Sequence, residues 1–598
     1  MASLSLGSPL ICRNAIPKTM QKPRRTPPRF TCPVVVAGTA SAEAVVVRRS
    51  GNYRPSLWDQ NYIQSLENRY AKEIIVQERA NLLRQEVKKR LDETEGPLQQ
   101  LELIDTLQRL GLSYHFDHEI TTVLTKIHEG RTNNAGTCNK IEDLHATALE
   151  FRLLRQHGFF VSQDVFDDVK NEKSYESFLK GSDDDIKGLL SLYEASYLST
   201  KSDFELKEIR SYSKKRLSDV INKSNTSDEK ESCIREMIIR SLEMPYHWRP
   251  STLEARWYID VYGKRQDMDP FLLEFAKLDF NIVQSFYQED LKSAFSWWNK
   301  TGLKELDFAR DRILENYIWN VELFHEPQLG NQRREVAKTF ALTTTIDDIY
   351  DVYGTVEELE LFTEAVRRWD VNLVDELPEY MRVCFLVLYN EVNQTGHDIL
   401  RHKNFNVIPY LKKAWTDLTS ACLIEAKWHK SGYKPTFKEY IENARFSICG
   451  LVILIHSYCV LADKISKETI KSLVGDRQPI VKGSATIMRV VNDMGTSTHE
   501  LARGDVLKSM QCHMHETGGS HTEARDHMMD VISDAWDEMN HEKMARGSSL
   551  HPRFLQTAIN LGRMSLCMYQ YGDGHGFPDS AKTVDRTKSL ILDPIPLY

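Results

Sequence analysis

The sequence predicts an all-α fold. Apolar residues recur at helical spacing almost everywhere beyond residue 58, with charged residues between them. No stretch alternates apolar and polar residues for long enough to require a β-sheet, and polar stretches at 222–231 and 518–523 read as loops. One stripe expected to face a core consists of Ile75, Leu82, Leu83, Val87 and Leu91.

The length and composition indicate two domains. A chain of 598 residues with 41% hydrophobic content is too long for one compact core. Turn-forming residues between Gly263 and Pro270 precede a new apolar series, which begins at Phe271. We therefore predict helical domains at 48–262 and 263–598.

Charge, cysteines and hydropathy exclude several classes of protein. The net charge of -8 argues against a nucleic-acid partner. The 10 cysteines include no C-x-x-C pair and no zinc spacing, which indicates buried, reduced thiols. The apolar run 451–462 is shorter than the roughly 20 residues of a membrane span, so a buried helix is predicted there and no membrane span.

Residues 1–47 differ from the rest of the chain. They contain one acidic residue, Glu43, and no apolar stretch long enough for a secretory signal. This composition predicts an organelle transit peptide, although composition does not separate plastid from mitochondrion. The basic residues are Arg13, Lys18, Lys22, Arg24, Arg25 and Arg29.

The strongest chemical signal is the acidic stretch 347–351, which lies in a helical pattern. Asp347 and Asp351 are four residues apart, so their carboxylates share one helix face. Like charges at that spacing repel, unless the face is solvated or a cation neutralises the pair. Carboxylate oxygens suit magnesium, which keeps waters and bridges to substrate phosphates. Asp348 belongs to the same stretch.

A second set of oxygen donors follows the same logic. Asn492, Thr496 and Glu500 recur every four residues and lie on one face of one helix. Arg489 stands three residues earlier and points the same way, as expected if a diphosphate shares the site. Taken alone, this set also fits an ordinary polar helix face.

A third, basic set is Arg310-Asp311-Arg312. Two guanidinium groups two residues apart do not share a helix face, so they fit a helix end or a loop that folds over an anion. Taken alone, the set also fits a surface ion pair.

Together these sets resemble the motifs of class I terpene synthases: D-D-x-x-D, N-D-x-x-T-x-x-x-E and R-x-R. Arg48-Arg49, eight intervening residues and Trp58 resemble the tandem-arginine signature of plant monoterpene synthases. The stretch 573–576 also matches the family, and the resemblance runs from about residue 48 to the C-terminus.

The resemblance implies an N-terminal α-barrel domain without catalysis and a C-terminal α-bundle that holds the active site. It implies a monomer in the plastid stroma that uses geranyl diphosphate and three Mg²⁺ ions, with Mn²⁺ as an alternative metal. Cyclisation to a limonene- or terpineol-type product is expected, with an acyclic product of the linalool, myrcene or ocimene type as the alternative.

The resemblance also assigns roles by position. Asp347, Asp348 and Asp351 match the first metal site, with Asp347 and Asp351 the principal ligands. Asn492, Thr496 and Glu500 match the second metal site. Arg310, Arg312 and Arg489 match diphosphate binders. Trp319 matches an aromatic that lines the cavity, and Tyr571 and His575 match positions near the hydrocarbon end of the substrate. Arg48, Arg49 and Trp58 are expected to close the mouth and to act on isomerisation and cyclisation.

Other interpretations stay open at this point. Farnesyl diphosphate would make the protein a sesquiterpene synthase. A chain-elongating prenyltransferase also carries D-D-x-x-D, but it normally has a second aspartate-rich motif where this chain has Asn492-Asp493. A non-catalytic helical scaffold would carry the same acidic helices as solvated faces. Gly450 marks either tight helix packing or a helix break beside the substrate.

Overall fold

The computed structural model confirms the all-α fold, and no β-strand occurs in the residues that it describes. Arg48–Tyr598 form one compact unit. The predicted transit peptide, 1–47, lies outside the described residues. These are 48–67, 70, 72–133, 143–169, 183–223, 229–475, 478–545 and 550–597.

Helices account for most of the described chain. The N-terminal region contains α1 (Gln60–Ser65), α2 (Ile74–Glu93), α3 (Pro97–Arg109), α4 (Asp117–Asn133), α5 (Leu144–Gln156), α6 (Asp183–Ser196), α7 (Phe204–Lys223), α8 (Glu229–Glu243) and α9 (Ser251–Tyr262). The C-terminal region begins with α10 (Pro270–Lys300), α11 (Ile313–Leu323), α12 (Gly330–Asp348), α13 (Val356–Arg368), α14 (Glu379–Lys403), α15 (Ile408–Ser431) and α16 (Phe437–Ser447). It ends with α17 (Gly450–Leu461), α18 (Lys467–Val474), α19 (Pro479–Arg503), α20 (Ser509–Thr517), α21 (His521–Met544), α22 (Pro552–Met568) and α23 (Ala581–Thr587).

The long helix α10 joins two hydrophobic cores. Phe275, near its start, packs in the core formed mainly by α2–α6 and α9. Leu291 and Phe295, further along, pack in the core of the C-terminal helices. The predicted division at 262/263 falls in the turn before α10, where the carboxylate of Asp269 caps the new helix by accepting from the N–H of Phe271 at 2.8 Å. One helix therefore ties the two regions together.

The predicted core stripe of α2 is only partly correct. Leu83, Val87 and Leu91 are buried, whereas Ile75 is 80% exposed and Leu82 is 59% exposed. Each residue of an α-helix is rotated by about 100° from the previous one, so Leu82 points away from the face of Leu83. The predicted stripe therefore contained residues from two different faces of α2.

One apolar stretch, Phe437–Leu461, is long enough to cross a membrane by length and composition, but 72% of its most apolar window is buried inside the fold. A core helix passes the same test. Between α16 and α17 the backbone of Cys449 takes the left-handed conformation (φ 67°), which interrupts the helix. The apolar run thus consists of two helices packed in the core, as predicted for 451–462.

A network of buried charges stabilises the N-terminal region. Glu194 is 2% exposed and accepts hydrogen bonds from the Nη2 of Arg109 at 2.5 Å and from the hydroxyl of Ser241 at 3.0 Å. Arg109 also pairs with Asp105, whose pKa is lowered to about 2 because the arginines around it outweigh the effect of burial. Buried charges of this kind are tolerated only when they are paired.

We predict that Glu194→Gln destabilises the protein by about 3 kcal/mol, because it removes one of the few carboxylates that balance the buried arginines. Urea unfolding followed by helical circular dichroism measures the loss. Glu364→Gln removes an exposed partner of Arg367 and should leave the midpoint unchanged. Equal midpoints for the two variants would contradict a stabilising role of the buried network.

Candidate active site

One pocket lies among the C-terminal helices. Charged and polar side chains line its mouth, and aromatic and apolar side chains line its interior. Its walls come from the N-terminal segment, the segment before α11, helices α11, α12, α15 and α19, the turn after α12, the break between α16 and α17, the residue before α20, and the loop after α22. The predicted residues that line it are Arg310, Trp319, Asp347, Asp351, Arg489, Asn492, Thr496 and His575.

The aspartate-rich stretch lies where α12 changes into a π-helical turn, Ile349–Tyr353. Single π-turns within helices are frequent at functional sites. Asp347 lies in the last turn of α12 and Asp351 lies in the wider turn, and both line the pocket. Burial and the neighbouring Asp347 carboxylate raise the pKa of Asp351 to about 8. The positive charge near these two carboxylates therefore does not offset burial and their mutual repulsion.

Asp348, predicted as a third carboxylate of the metal site, does not line the pocket. Its side chain is fully buried, and it accepts hydrogen bonds from the backbone N–H of Arg310 at 2.8 Å and from its Nε at 3.1 Å. The reason is helical geometry: Asp348 follows Asp347 directly, so it faces a different side of the helix. Its observed role is to hold Arg310.

The second predicted metal site lies on α19. Asn492 and Thr496 line the pocket, and the hydroxyl of Thr496 donates to the carbonyl of Asn492 at 2.9 Å. The side-chain oxygen of Asn492 accepts from Arg489 at 3.2 Å. Glu500 is four residues further along the same helix, but its side chain lies outside the described residues.

Arg489 is held in place from behind. Its Nη1 donates to Asp493 at 3.0 Å, and its Nε donates to the carbonyl of Ala444 at 3.3 Å. Asp493 in turn accepts from the hydroxyl of Tyr440 at 2.9 Å and from the N–H of Ser509 at 3.0 Å. The nearby acidic groups keep the pKa of Arg489 well above its ordinary value despite burial, so it presents a fixed positive charge.

The two arginines of the R-x-R motif occupy different environments. Arg310 lines the pocket, pairs with Asp347 and Asp348, and lies under the ring of Tyr53 at 4.9 Å. Arg312, also predicted as a diphosphate binder, does not line the pocket and is 1% exposed. Its Nη2 donates to two backbone carbonyls, because the chain turns into α11 immediately after it.

The interior of the pocket is aromatic. Trp319 is buried and stacks on Phe340 with ring centroids 5.5 Å apart, and Tyr569 lies 6.2 Å from it. His575 lies 6.4 Å from Trp319, and burial together with Arg310 and Arg312 lowers its pKa well below the ordinary value. The imidazole is therefore neutral, and one ring nitrogen retains a lone pair.

The prediction for Tyr571 is wrong in position. Tyr571 is 38% exposed, and the cationic groups of Lys582 and Arg586 lie over its ring, outside the pocket. The tyrosine in the pocket is Tyr569, two residues earlier, at the end of α22. Tyr569 directly follows the last residue of α22 and Tyr571 lies in the turn beyond it, so the two tyrosines point to different sides.

The N-terminal segment crosses the mouth. Arg48 binds both carboxylate oxygens of Glu358, at 2.8 and 2.9 Å, and lies over the ring of Tyr353. Arg49 donates to the carbonyl of Asp351 at 3.0 Å and pairs with Asp505. The indole N–H of Trp58 donates to buried Glu315 at 3.0 Å. These residues touch the frame of the site and not the pocket itself.

Sequence reasoning missed Tyr53, Phe340, Lys508 and Tyr569. Lys508, which is 4% exposed, lies 3.8 Å from Glu425 and lines the pocket beside Asp351. Phe340 and Tyr569 both face Trp319. Phe340 lies within α12, so helical periodicity could have placed it on the same face as other apolar residues. Tyr53 and Lys508 lie in irregular segments, where no periodic signal exists.

The helix break at Cys449 forms one side of the pocket. Cys449 and Ile448 both line it. A Cβ atom built on Gly450 would lie only 3.3 Å from Ala485, so the glycine allows α17 and α19 to pack closely. Gly450 also directly follows the helix break. The close-packing interpretation of Gly450 is confirmed, and the helix break directly before it lies beside the pocket.

The donor set fits a divalent cation that is shared with a substrate. In the described part of the chain no cluster of three or more His, Cys, Asp or Glu side chains could hold a metal by itself. Magnesium is commonly held by one or two carboxylates together with substrate phosphates. The like-charged Asp347 and Asp351 and the oxygens of Asn492 and Thr496 are donors of this kind.

Comparison with known proteins agrees with this geometry. Residues 57–242 match the N-terminal domain of terpene synthases, and residues 299–538 match the metal-binding domain of the terpene synthase family. A beta-myrcene/(E)-beta-ocimene synthase of Arabidopsis thaliana is 53% identical over 100% of both chains. A 1,8-cineole synthase of the same plant is also 53% identical, over 100% of this chain and 99% of its own.

Solved structures agree as well. Limonene synthase with 2-fluorolinalyl diphosphate has a TM-score of 0.88 and 43% identity, covering 92% of this chain and 100% of its own. Isoprene synthase of grey poplar, in complex with three Mg²⁺ ions and dimethylallyl-S-thiolodiphosphate, has a TM-score of 0.79 and 41% identity, covering 90% and 99%. With both family domains matched and full-length relatives at this identity, the chain belongs to the terpene synthase family.

Proposed function

We propose that the protein is a monoterpene synthase of the plastid that ionises geranyl diphosphate with the help of three Mg²⁺ ions. The observation that supports this proposal is the arrangement of one pocket. Its mouth joins Asp347 and Asp351 to Arg310, Arg489 and Lys508, and its interior is aromatic. A diphosphate fits the charged mouth and a hydrocarbon chain fits the interior.

Asp347, Asp351, Asn492, Thr496 and Glu500 would hold the metal ions, with Asp348 acting through Arg310. When bound, the ions neutralise negative charge on the departing diphosphate. Arg310, Arg489 and Lys508 provide fixed positive charge at the same mouth, which stabilises the charge that develops as the carbon–oxygen bond breaks. The bonding electron pair leaves with the diphosphate, and an allylic cation remains.

The interior protects that cation. Trp319, Phe340 and Tyr569 present electron-rich rings, each of which contributes on the order of 1–2 kcal/mol to a cation held against its face. Excluding water prevents early capture. The reaction ends when the cation loses a proton or adds water and then loses one. The released diphosphate and the neutral imidazole of His575 are the two candidate bases.

The relatives support the substrate class more strongly than the product. Two relatives of equal identity have names that specify different products. The limonene synthase structure is a complex with 2-fluorolinalyl diphosphate, an analogue of linalyl diphosphate, and this similarity supports a ten-carbon substrate for this chain.

The decisive experiment is product analysis by gas chromatography with geranyl, neryl and farnesyl diphosphates. We expect monoterpenes from geranyl diphosphate. Preferred turnover of farnesyl diphosphate would instead indicate a sesquiterpene synthase. Consumption of added isopentenyl diphosphate would indicate a prenyltransferase. Failure to turn over any of them would favour a non-catalytic scaffold.

Asp347→Ala and Asp351→Ala should each lower turnover by at least ~100-fold, because each removes an oxygen that stabilises charge in the transition state. Release of inorganic diphosphate at saturating Mg²⁺ measures the loss. Asp398→Ala removes an exposed carboxylate on α14 and serves as the matched control. Near-normal rates in both pocket variants would refute the metal assignment.

Replacing Arg48 and Arg49 together by Ala should slow the conversion of geranyl diphosphate by ~10–100-fold and spare that of linalyl diphosphate. The two arginines fasten the N-terminal segment to Glu358, Asp351 and Asp505. A closed mouth holds the first cation near its diphosphate until the diphosphate returns to the tertiary carbon, after which a ring can close. Linalyl diphosphate bypasses that isomerisation. Equal losses on the two substrates would indicate general closure instead.

Residues 1–47, fused to a fluorescent protein, should deliver it to plastids, and a protein beginning at Arg48 should remain active. The basic, acid-poor composition and the word chloroplastic in the names of the relatives support this expectation. Confocal imaging against chlorophyll autofluorescence tests the first part. Cytosolic or mitochondrial fluorescence would contradict it.

A further inference from the structure

The side chain of Arg312 connects two chain segments that are distant in sequence. Its Nη2 donates to the carbonyl of Arg54 at 2.9 Å and to the carbonyl of Gly576 at 2.9 Å, across separations of 258 and 264 residues. Its Nη1 donates to the carbonyl of Asp311 at 2.8 Å. A guanidinium has its N–H groups in a fixed plane, so one nitrogen can hold two acceptors in a defined geometry.

Both segments carry a residue of the pocket. Tyr53 precedes Arg54, lines the mouth and covers the guanidinium of Arg310. His575 precedes Gly576 and lines the interior. The carboxylate of Asp573 accepts from the N–H groups of His575 at 3.1 Å and Gly576 at 2.7 Å, so the loop 573–576 turns as a unit.

The two segments also contact each other. The rings of Tyr53 and Phe577 lie 6.0 Å apart, and the side chains of Arg54 and Asp579 form an exposed ion pair. The bond from Arg312 to Gly576 is buried and the bond to Arg54 is partly buried, and hydrogen bonds from a charged donor are the stronger kind. Arg312 therefore attaches both segments to the start of α11.

We propose that Arg312 is a positioning residue that holds the N-terminal segment and the loop 573–576 over the pocket together, and that it does not bind the diphosphate. The two arginines of the R-x-R motif, Arg310 and Arg312, thus have different roles. Arg310 faces the pocket, and Arg312 fixes the two chain segments that carry Tyr53 and His575. The consequence for turnover rests on the proposed function, whereas the consequence for the two segments does not.

The test measures both segments in the full chain without substrate. Arg312→Gln should raise the rate of chymotrypsin cleavage after Tyr53 and the rate of amide exchange at 574–577 by ~10-fold or more, because charge-assisted hydrogen bonds to both carbonyls are lost. Arg312→Lys, with a single point charge, should give a smaller increase in both rates, and it replaces the Gln variant if that protein does not fold. Arg54→Ala keeps the Arg54 carbonyl and removes only an exposed ion pair, so both rates should stay within ~2-fold.

Steady-state kinetics with geranyl diphosphate separates positioning from binding. Arg312→Lys should lower kcat and leave KM within ~3-fold, whereas Arg310→Lys should raise KM. Loosening of only one segment, or of neither, would overturn the proposal, as would a rise in KM for Arg312→Lys equal to that for Arg310→Lys. If the protein turns over no prenyl diphosphate, the cleavage and exchange rates still decide whether Arg312 holds both segments.

Discussion

The active site depends on one buried ion pair, between Asp348 and Arg310. The Asp348 carboxylate is fully buried and accepts from both the backbone and the side chain of Arg310. A buried carboxylate is stable only when it is paired, so this contact fixes the chain before α11 against the C-terminal end of α12. Arg310 then reaches Asp347 on one side and supports the ring of Tyr53 on the other. The pocket mouth is built around that fixed guanidinium.

The second constraint is electrostatic. Asp347 and Asp351 lie at the C-terminal end of α12, where the helix dipole is itself negative. Burial and the neighbouring Asp347 carboxylate raise the pKa of Asp351 to about 8. Folding tolerates this arrangement because Arg310 and Lys508 lie nearby, but those cations do not saturate the carboxylate oxygens. The site therefore favours additional cations, and a diphosphate that brings metal ions with it satisfies both charges at once.

Sequence spacing predicted the parts of the site that lie on regular helices. Asp347 with Asp351, and Asn492 with Thr496, are four residues apart and do line one pocket, and the all-α fold followed from the same periodicity. Spacing did not determine which neighbour of a functional residue points inward. Asp348 and Arg312 are buried behind the wall, and Tyr571 lies outside, because Asp348 faces a different side of its helix from Asp347, the chain turns at the start of α11, and Tyr571 lies beyond the end of α22. Tyr53 and Lys508 arrive from irregular segments through long-range contacts, for which a single sequence holds no periodic signal. In α2 the expected stripe combined two faces, since Ile75 and Leu82 are exposed.

The division of the pocket explains why the reaction class is easier to infer than the product. The mouth is made of charged groups whose types and spacing follow from the chemistry of a metal-bound diphosphate. The interior is shaped by packing: Trp319 stacks on Phe340, and the left-handed turn at Cys449 brings Ile448 and Cys449 to the wall. A cation that is held only by ring faces and apolar side chains is guided by contour, and small changes in contour alter which carbon atoms meet. Relatives of equal overall identity can therefore bear the names of different products, because the contour of the interior guides the later steps of the cation.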